Sequence, residues 1–201
     1  MAKNSEARAV WALLFLKSTN AVGDTVSCNH FAPLILQNQR GPNPIVSWED
    51  VTSKHLERVA AIYRQTSKWC KNAYAVCKIA DEIVTRAPAA RPKTTEDWLA
   101  FHEIGPKTAA LLQWSLEGTA DVIPIDVHVW KAFRVWNWTN ALTTNESTWQ
   151  ARQWFPVEHN ITINDAIGSI RQTFKANPPR RQKILRKYAN TQYAEMLELL
   201  I

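Results

Sequence analysis

The sequence predicts an all-α protein, and three observations carry that expectation. Glycine is scarce, with 5 residues in a chain of 201. Apolar residues recur at helical spacing, as in Val10, Leu13 and Leu14. Helix-starting and helix-stopping residues punctuate the chain at intervals typical of globular helices. A hydrophobic fraction of 46% is that of an ordinary folded protein and argues against global disorder.

The elements follow in order. Ser5 is read as the cap of a first helix through Leu16. A second apolar stretch, Phe31 to Leu36, ends in a polar string that closes with Gly41 and Pro42, a helix end opening into a loop. Ser53 is read as the cap of a helix bearing Leu56, Val59, Ala60 and Tyr63. A longer helix is predicted from near Ser67 to Arg86, before the proline-containing loop at 87–92. Thr95, Glu96 and Asp97 form the acidic first turn of a short helix with Trp98 and Leu99. A tight turn at Gly105 precedes Pro106, well suited to the first position of a helix carrying Ala110, Leu111 and Trp114. Val122 to Ile125 reads as extended, because Pro124 restricts itself and its predecessor. Asp126 then caps a helix whose apolar face is Val129, Trp130, Phe133 and Trp136. Asn145 and Asn164 are read as two further caps, and a basic helix is predicted from about Arg180.

The net charge is +6 and the pI about 9.3, which suits an anionic partner, nucleic acid being the commonest. Cys28, Cys70 and Cys77 suggest neither a disulfide framework nor a metal site, and Cys70 and Cys77 are read as packed small hydrophobes. The apolar run Val10 to Leu16 is too short to span a membrane, with Glu6 before it and Lys17 closing it. An intracellular location is expected, in cytoplasm, nucleoid or nucleus, with no membrane partner.

Two residues bear chemistry. Lys107 falls in the first turn of a helix, where the dipole disfavours its charged form. A neutral amine there can attack an electrophilic sugar carbon and form a Schiff base. The same turn presents free backbone N–H groups that suit a phosphate. An ordinary surface lysine at a helix start has the same local pattern. Asp126, as an N-cap, stays ionised, and can stabilise a cationic sugar or align an attacking amine. A plain structural cap again has the same pattern.

Taken together, the two segments resemble a family. Phe101 to Ala110 resembles the hairpin of the helix-hairpin-helix DNA glycosylases, usually Leu-Pro-Gly-hydrophobic-Gly-any-Lys-Thr-Ala. Val122 to Trp130 is similar to their catalytic-aspartate segment, in the Asp-Val-His-hydrophobic-Trp form closest to the 8-oxoguanine DNA glycosylases and, more loosely, to endonuclease III. The resemblance implies a two-lobed helical fold with a cleft. Residues 20–118 would form a helical barrel lobe with the hairpin, and residues 1–19 plus 119–201 the second lobe. It places Lys107 and Asp126 on opposite sides of that cleft as nucleophile and carboxylate partner. The implied partner is double-stranded DNA carrying a damaged base, flipped out for reaction, or an abasic site. Asn38 and Gln39, beside Arg40, would fill the gap in the duplex. Gly105 and Thr108 would meet phosphate at the hairpin, and His128 a phosphate near the lesion. Arg180, Arg181, Lys183, Arg186 and Lys187 form a basic cluster suited either to phosphates or to a solvated face. No metal or cofactor is implied, and a monomer is expected.

The resemblance implies a glycosylase with β-elimination at the abasic site, acting on an oxidised base, 8-oxoguanine first. A base-modifying transferase on the same scaffold and a non-catalytic DNA-binding module are the alternatives. One departure matters. His102-Glu103 stands where the family has Pro-Gly, putting a carboxylate near the expected phosphate. Most of the tryptophans, Trp11, Trp114, Trp130 and Trp136 among them, are read as core rather than as stacking platforms.

Overall fold

The computed structural model describes residues 2–22, 24–64, 69–176 and 178–191, with the side chains of 2–4, 19–22, 24–28, 39, 170–176, 180 and 188 outside those described. Among the described residues the fold is all-α, with no strand. No described helix is long and apolar enough to cross a membrane. Two compact units divide the chain: Met1–Ile104 with Leu111–Gly118, and Gly105–Ala110 with Thr119–Ile201.

The first unit is built on α1 (Ala2–Val22), α2 (Asp24–Arg40), α3 (Leu56–Tyr63), α4 (Trp69–Thr85) and α5 (Thr95–Leu99). The apolar run of α1 is not a one-sided stripe. Ala9, Val10, Trp11, Leu13, Leu14 and Leu16 are all buried, so the helix is enclosed on most sides. It packs against α2, α4 and a 3-10 turn at Trp48–Val51. Phe31 of α2 is the hub, with edge-on ring contacts to Trp11, Phe15 and Tyr63 at 6.4, 5.9 and 6.0 Å. Two polar ends in this core find backbone partners. Tyr63 Oη donates to the Leu14 carbonyl at 2.6 Å, and Trp11 Nε1 to that of Ile45 at 3.2 Å. Burial, with the nearby Cys77, raises the Tyr63 phenol well above its ordinary range. These contacts group residues 1–19 with the first unit, whereas the sequence reading had joined them to 119–201.

Several caps differ from expectation. Ser53 lies in a 3-10 turn, Ser53–His55, and its N–H and hydroxyl both donate to Asp81 of α4. By contrast, α5 starts at Thr95 with Glu96 and Asp97 in its first turn, as expected, and Thr94 caps it, accepting from Asp97 N at 3.2 Å while Asp97 accepts from Thr94 N at 2.9 Å. Those backbone donors hold the Asp97 carboxyl below its usual range. The start predicted near Ser67 lies outside the described residues. Arg91 ties the unit together, with Nη1 on Glu6 at 2.6 Å and Nη2 on Glu49 at 2.7 Å.

Helix α6 (Pro106–Glu117) gives its first turn to the second unit and the rest to the first. Gly118, at φ +78°, ends it, its N–H donating to the Trp114 carbonyl at 2.8 Å. Of the expected apolar face of α6, Ala110 is buried, and the face shifts beyond it. Ala109, Leu112 and Gln113 are buried, Leu111 is half-buried and Trp114 is exposed. Gln113 can enter the core because Thr95 Oγ1 donates to its Oε1 at 2.7 Å.

The second unit contains α7 (Val127–Val135), α8 (Thr144–Gln150), α9 (Asn160–Ala176) and α10 (Pro178–Tyr188). Ile123, Ile125, Val129, Ala132, Phe133, Ala151 and Ile167 form its core, with Trp130 and Trp136 packed on the margin. Thr143 rather than Asn145 caps α8, in a reciprocal box with Glu146. Asn164 lies inside α9 and caps nothing. Asn160 is buried, its Nδ2 donating to the Ala120 carbonyl at 2.8 Å.

Candidate functional site

The segment 101–110 folds as a turn followed by a helix start. Phe101 and Ile104 are buried and anchor the turn. Ile104 N donates to the Phe101 carbonyl at 3.2 Å, closing a four-residue turn. Its third residue, Glu103, has φ +64°. A type II turn wants glycine at that position, because only glycine takes positive φ without steric cost. The resemblance has glycine there, and this chain keeps the backbone shape with a glutamate, at a cost of about 1–2 kcal/mol.

Glu103 is held by two lysines that sequence reasoning did not connect to it. Lys17 of α1 is 5% exposed, and its Nζ donates to the Glu103 carbonyl at 2.9 Å and to Oε2 at 3.4 Å. Lys71 of α4 meets Oε1 at 3.3 Å. Burial alone would raise the Glu103 carboxyl, but Lys17 and Lys71 together hold it below the usual carboxylate range. Burial lowers the Lys17 ammonium from its ordinary value, opposed in part by Glu103. The carboxylate at the turn therefore faces two ammonium groups. A signal was present in the sequence: Lys17 closes an apolar run and needs a partner if that run is buried.

Beyond the turn, the Gly105 carbonyl accepts from Ala109 N at 2.9 Å, and Pro106 is buried at the first helical position. A side chain built on Gly105 would meet nothing within 4 Å, so the helix entrance is open there. Lys107 and Thr108 are half-buried in the first turn. Lys107 Nζ forms no hydrogen bond or ion pair with the described residues. Ala109 and Ala110 are fully buried, and Ala110 packs with Ala120, Val122 and Ile161.

Asp126 is reached through a tight bend at Pro124, in which Ile125 N donates to the Ile123 carbonyl at 2.8 Å. Asp126 is the N-cap of α7, extended at φ −93° and ψ −179°. Its Oδ1 accepts from His128 N and Val129 N, each at 2.8 Å. Its Oδ2 accepts no hydrogen bond from the described residues. The aspartate is therefore a structural cap with one oxygen still available. Lys107 and Asp126 both belong to the second unit. The sequence reading had put them in different lobes.

The other expected site residues fall as follows. His128 is exposed in the first turn of α7. Asn38, near the end of α2, uses its amide twice on one residue: Nδ2 donates to the Ile45 carbonyl at 3.1 Å and Oδ1 accepts from Ile45 N at 2.6 Å. It clips the following loop, a role not foreseen. Arg40 is exposed, and the Gln39 side chain lies outside those described. In α10, Lys183, Arg186 and Lys187 are exposed and Arg181 is half-buried, while the Arg180 side chain is outside those described. Cys77 is buried as expected, and Cys70 is exposed, against expectation. Burial, with Asp81 beside it, pushes the Cys77 thiol up to about 11. The Cys28 side chain is outside those described. Among the described residues, no group of three or more His, Cys, Asp or Glu is placed to hold a metal ion.

No family model and no curated protein matches this chain.

The arrangement can do two things chemically. The Lys107 amine, in the first turn of α6, is a nucleophile for an electrophilic carbon brought to it. A carboxylate pinned by two backbone donors keeps its orientation, with one oxygen free to face a cation.

Proposed function

We propose that the protein is a DNA base-excision glycosylase with abasic-site lyase activity, acting on an oxidised base, 8-oxoguanine first. The observation that supports this most is the pair of groups with spare capacity: the Lys107 amine, without a partner among the described residues, and the second oxygen of the Asp126 cap. The preserved turn at Glu103 and the open helix entrance at Gly105 are compatible with a DNA phosphate at the hairpin. The choice of an oxidised purine rests on the Asp-Val-His-hydrophobic-Trp resemblance alone.

In this reading the damaged nucleotide is flipped out of the duplex. The Lys107 amine attacks C1′ of its sugar. A C–N bond to lysine forms as the bond to the base breaks, and the base leaves with a proton. Asp126 stabilises the positive charge that develops on the sugar. Ring opening gives the imine, with the ring oxygen taking up a proton. Loss of a C2′ proton then expels the 3′ phosphate by β-elimination.

Borohydride trapping tests the proposal. A lesion-bearing or abasic duplex should become covalently attached to the protein, through the peptide that contains Lys107. Lys107→Gln should abolish trapping and strand cleavage and leave the fold intact, since Gln is nearly as good a helix former as Lys. No trapping of the unmodified protein on an abasic duplex or on any duplex of a broad lesion panel would overturn the lyase. A change in base mass without strand cleavage would indicate a transferase instead.

A further inference from the structure

The second unit carries a surface that the base-excision reading does not use. Helix α7 buries Val129, Ala132 and Phe133 and exposes Val127, Lys131 and Arg134. These exposed positions are spaced four and three residues apart, so they form one outward stripe. Asn137, at φ +55°, ends the helix, and Trp138 N donates to the Phe133 carbonyl at 2.8 Å. Trp138 thus sits just past the C-terminal end of α7, 41% exposed. Trp154, 37% exposed, packs on the same buried Phe133 ring as Trp138, at 5.5 and 5.4 Å between centroids respectively. No Asp or Glu occurs between Asp126 and Glu146, so α7 and the segment through Trp138 carry only positive side-chain charge.

We infer that this face binds an unpaired DNA strand, with Lys131 and Arg134 on phosphates and Trp138 and Trp154 under bases. Exposed indoles supported from behind by a buried ring are rigid flat platforms, and every base offers a flat face to stack on them. A duplex hides those faces inside its own stack, so the platform selects the unpaired strand. The cations and the absence of carboxylates match a polyanion and give an uncharged protein surface nothing to pair with.

The test is fluorescence anisotropy of a labelled twelve-residue oligothymidylate, with an undamaged duplex of equal length as competitor. The oligonucleotide should bind, and the duplex should compete poorly. Trp138→Ala and Trp154→Ala should each weaken binding about tenfold. Because both indoles support Phe133, a second variant leaves the rings untouched. Lys131→Gln combined with Arg134→Gln should reduce the slope of log affinity against log salt by about 1.4, the share of two single-strand phosphates. No binding of the oligonucleotide would overturn the inference. So would affinity and salt slope unchanged in all these variants, or a concentration-dependent dimer that the Trp138 variant abolishes. The assay reads binding alone, so its outcome is independent of whether Lys107 is a nucleophile.

Discussion

Glu103→Gln probes the turn most directly. It keeps side-chain length and positive φ and removes only the charge. Two ion pairs are lost. The one to Lys71 is at the surface, with that lysine side chain 69% exposed, and is worth about 0–1 kcal/mol. The one to Lys17 matters more, because the Lys17 side chain is 6% exposed and would keep a buried charge with only a carbonyl to face. Orphaning a fully buried charge costs about 3–5 kcal/mol. Here the Glu103 side chain is 29% exposed and the carbonyl contact survives, so about 1–2 kcal/mol is expected in total. Thermal melting followed by circular dichroism should then fall by about 2–8 °C at neutral pH. The effect has a pH signature. Pairing lowers the carboxyl in the folded state, so its stabilisation is complete above the ordinary value of 4.5 and is lost as pH falls through the lower folded value. The gap between the two proteins should therefore close in acid. Lys17→Met removes the orphaned charge, and the double variant should be more stable than Glu103→Gln alone. A gap that persists unchanged to about pH 3, or a coupling below about 0.5 kcal/mol in the double-mutant cycle, would refute the reasoning.

Other outcomes are open to measurement. Asp126→Asn should keep the cap and melt near the unmodified protein, while excision slows by about two orders of magnitude or more; unchanged excision with a collapsed melting temperature would make Asp126 structural only. Asn38→Leu should lose about 1–3 kcal/mol in urea unfolding, because it leaves the Ile45 N–H unpaired while the Ile45 carbonyl keeps only Trp11 Nε1. In peptide mapping after brief exposure to a thiol reagent at neutral pH, Cys70 should be modified and Cys77, with its thiol near 11, protected until unfolding. Binding to undamaged duplex should weaken with salt at a log–log slope near −3 for about three phosphate contacts, and a salt-independent affinity would remove the electrostatic account.

Helix positions were legible because apolar periodicity is local. The cap at Asp126, the proline start at Pro106 and the helix with Val129 and Phe133 were all readable from residue type and spacing. What failed needed knowledge of partners far away in sequence. Ser53 looks like a cap until Asp81 is known to be beside it. Trp114 reads as core because it is large and apolar, but buried Gln113, satisfied by Thr95, takes the inward position. Asn145 lost to Thr143 because a reciprocal box with Glu146 satisfies more backbone donors than a lone asparagine. At the candidate site, residue types at Lys107 and Asp126 were visible; Lys17 could be marked as needing a partner, but not which one, since that partner lies 86 positions away.

The guanidinium of Arg91 has a consequence for the order in which the chain is made. It joins Glu6 and Glu49 to a loop that lies 85 and 42 residues further along. On a ribosome working at about 5–20 residues per second, Glu6 waits about 4–17 s for this partner. During that interval α1 has already left its apolar positions, Val10, Leu13 and Leu14, without the packing that later buries them completely. The first unit cannot close from its N-terminus forward. Val10, Leu13 and Leu14 stay uncovered until α2, the turn at Trp48–Val51 and α4 have emerged, and a nascent chain halted before α4 should be the form most readily cut by proteases within α1.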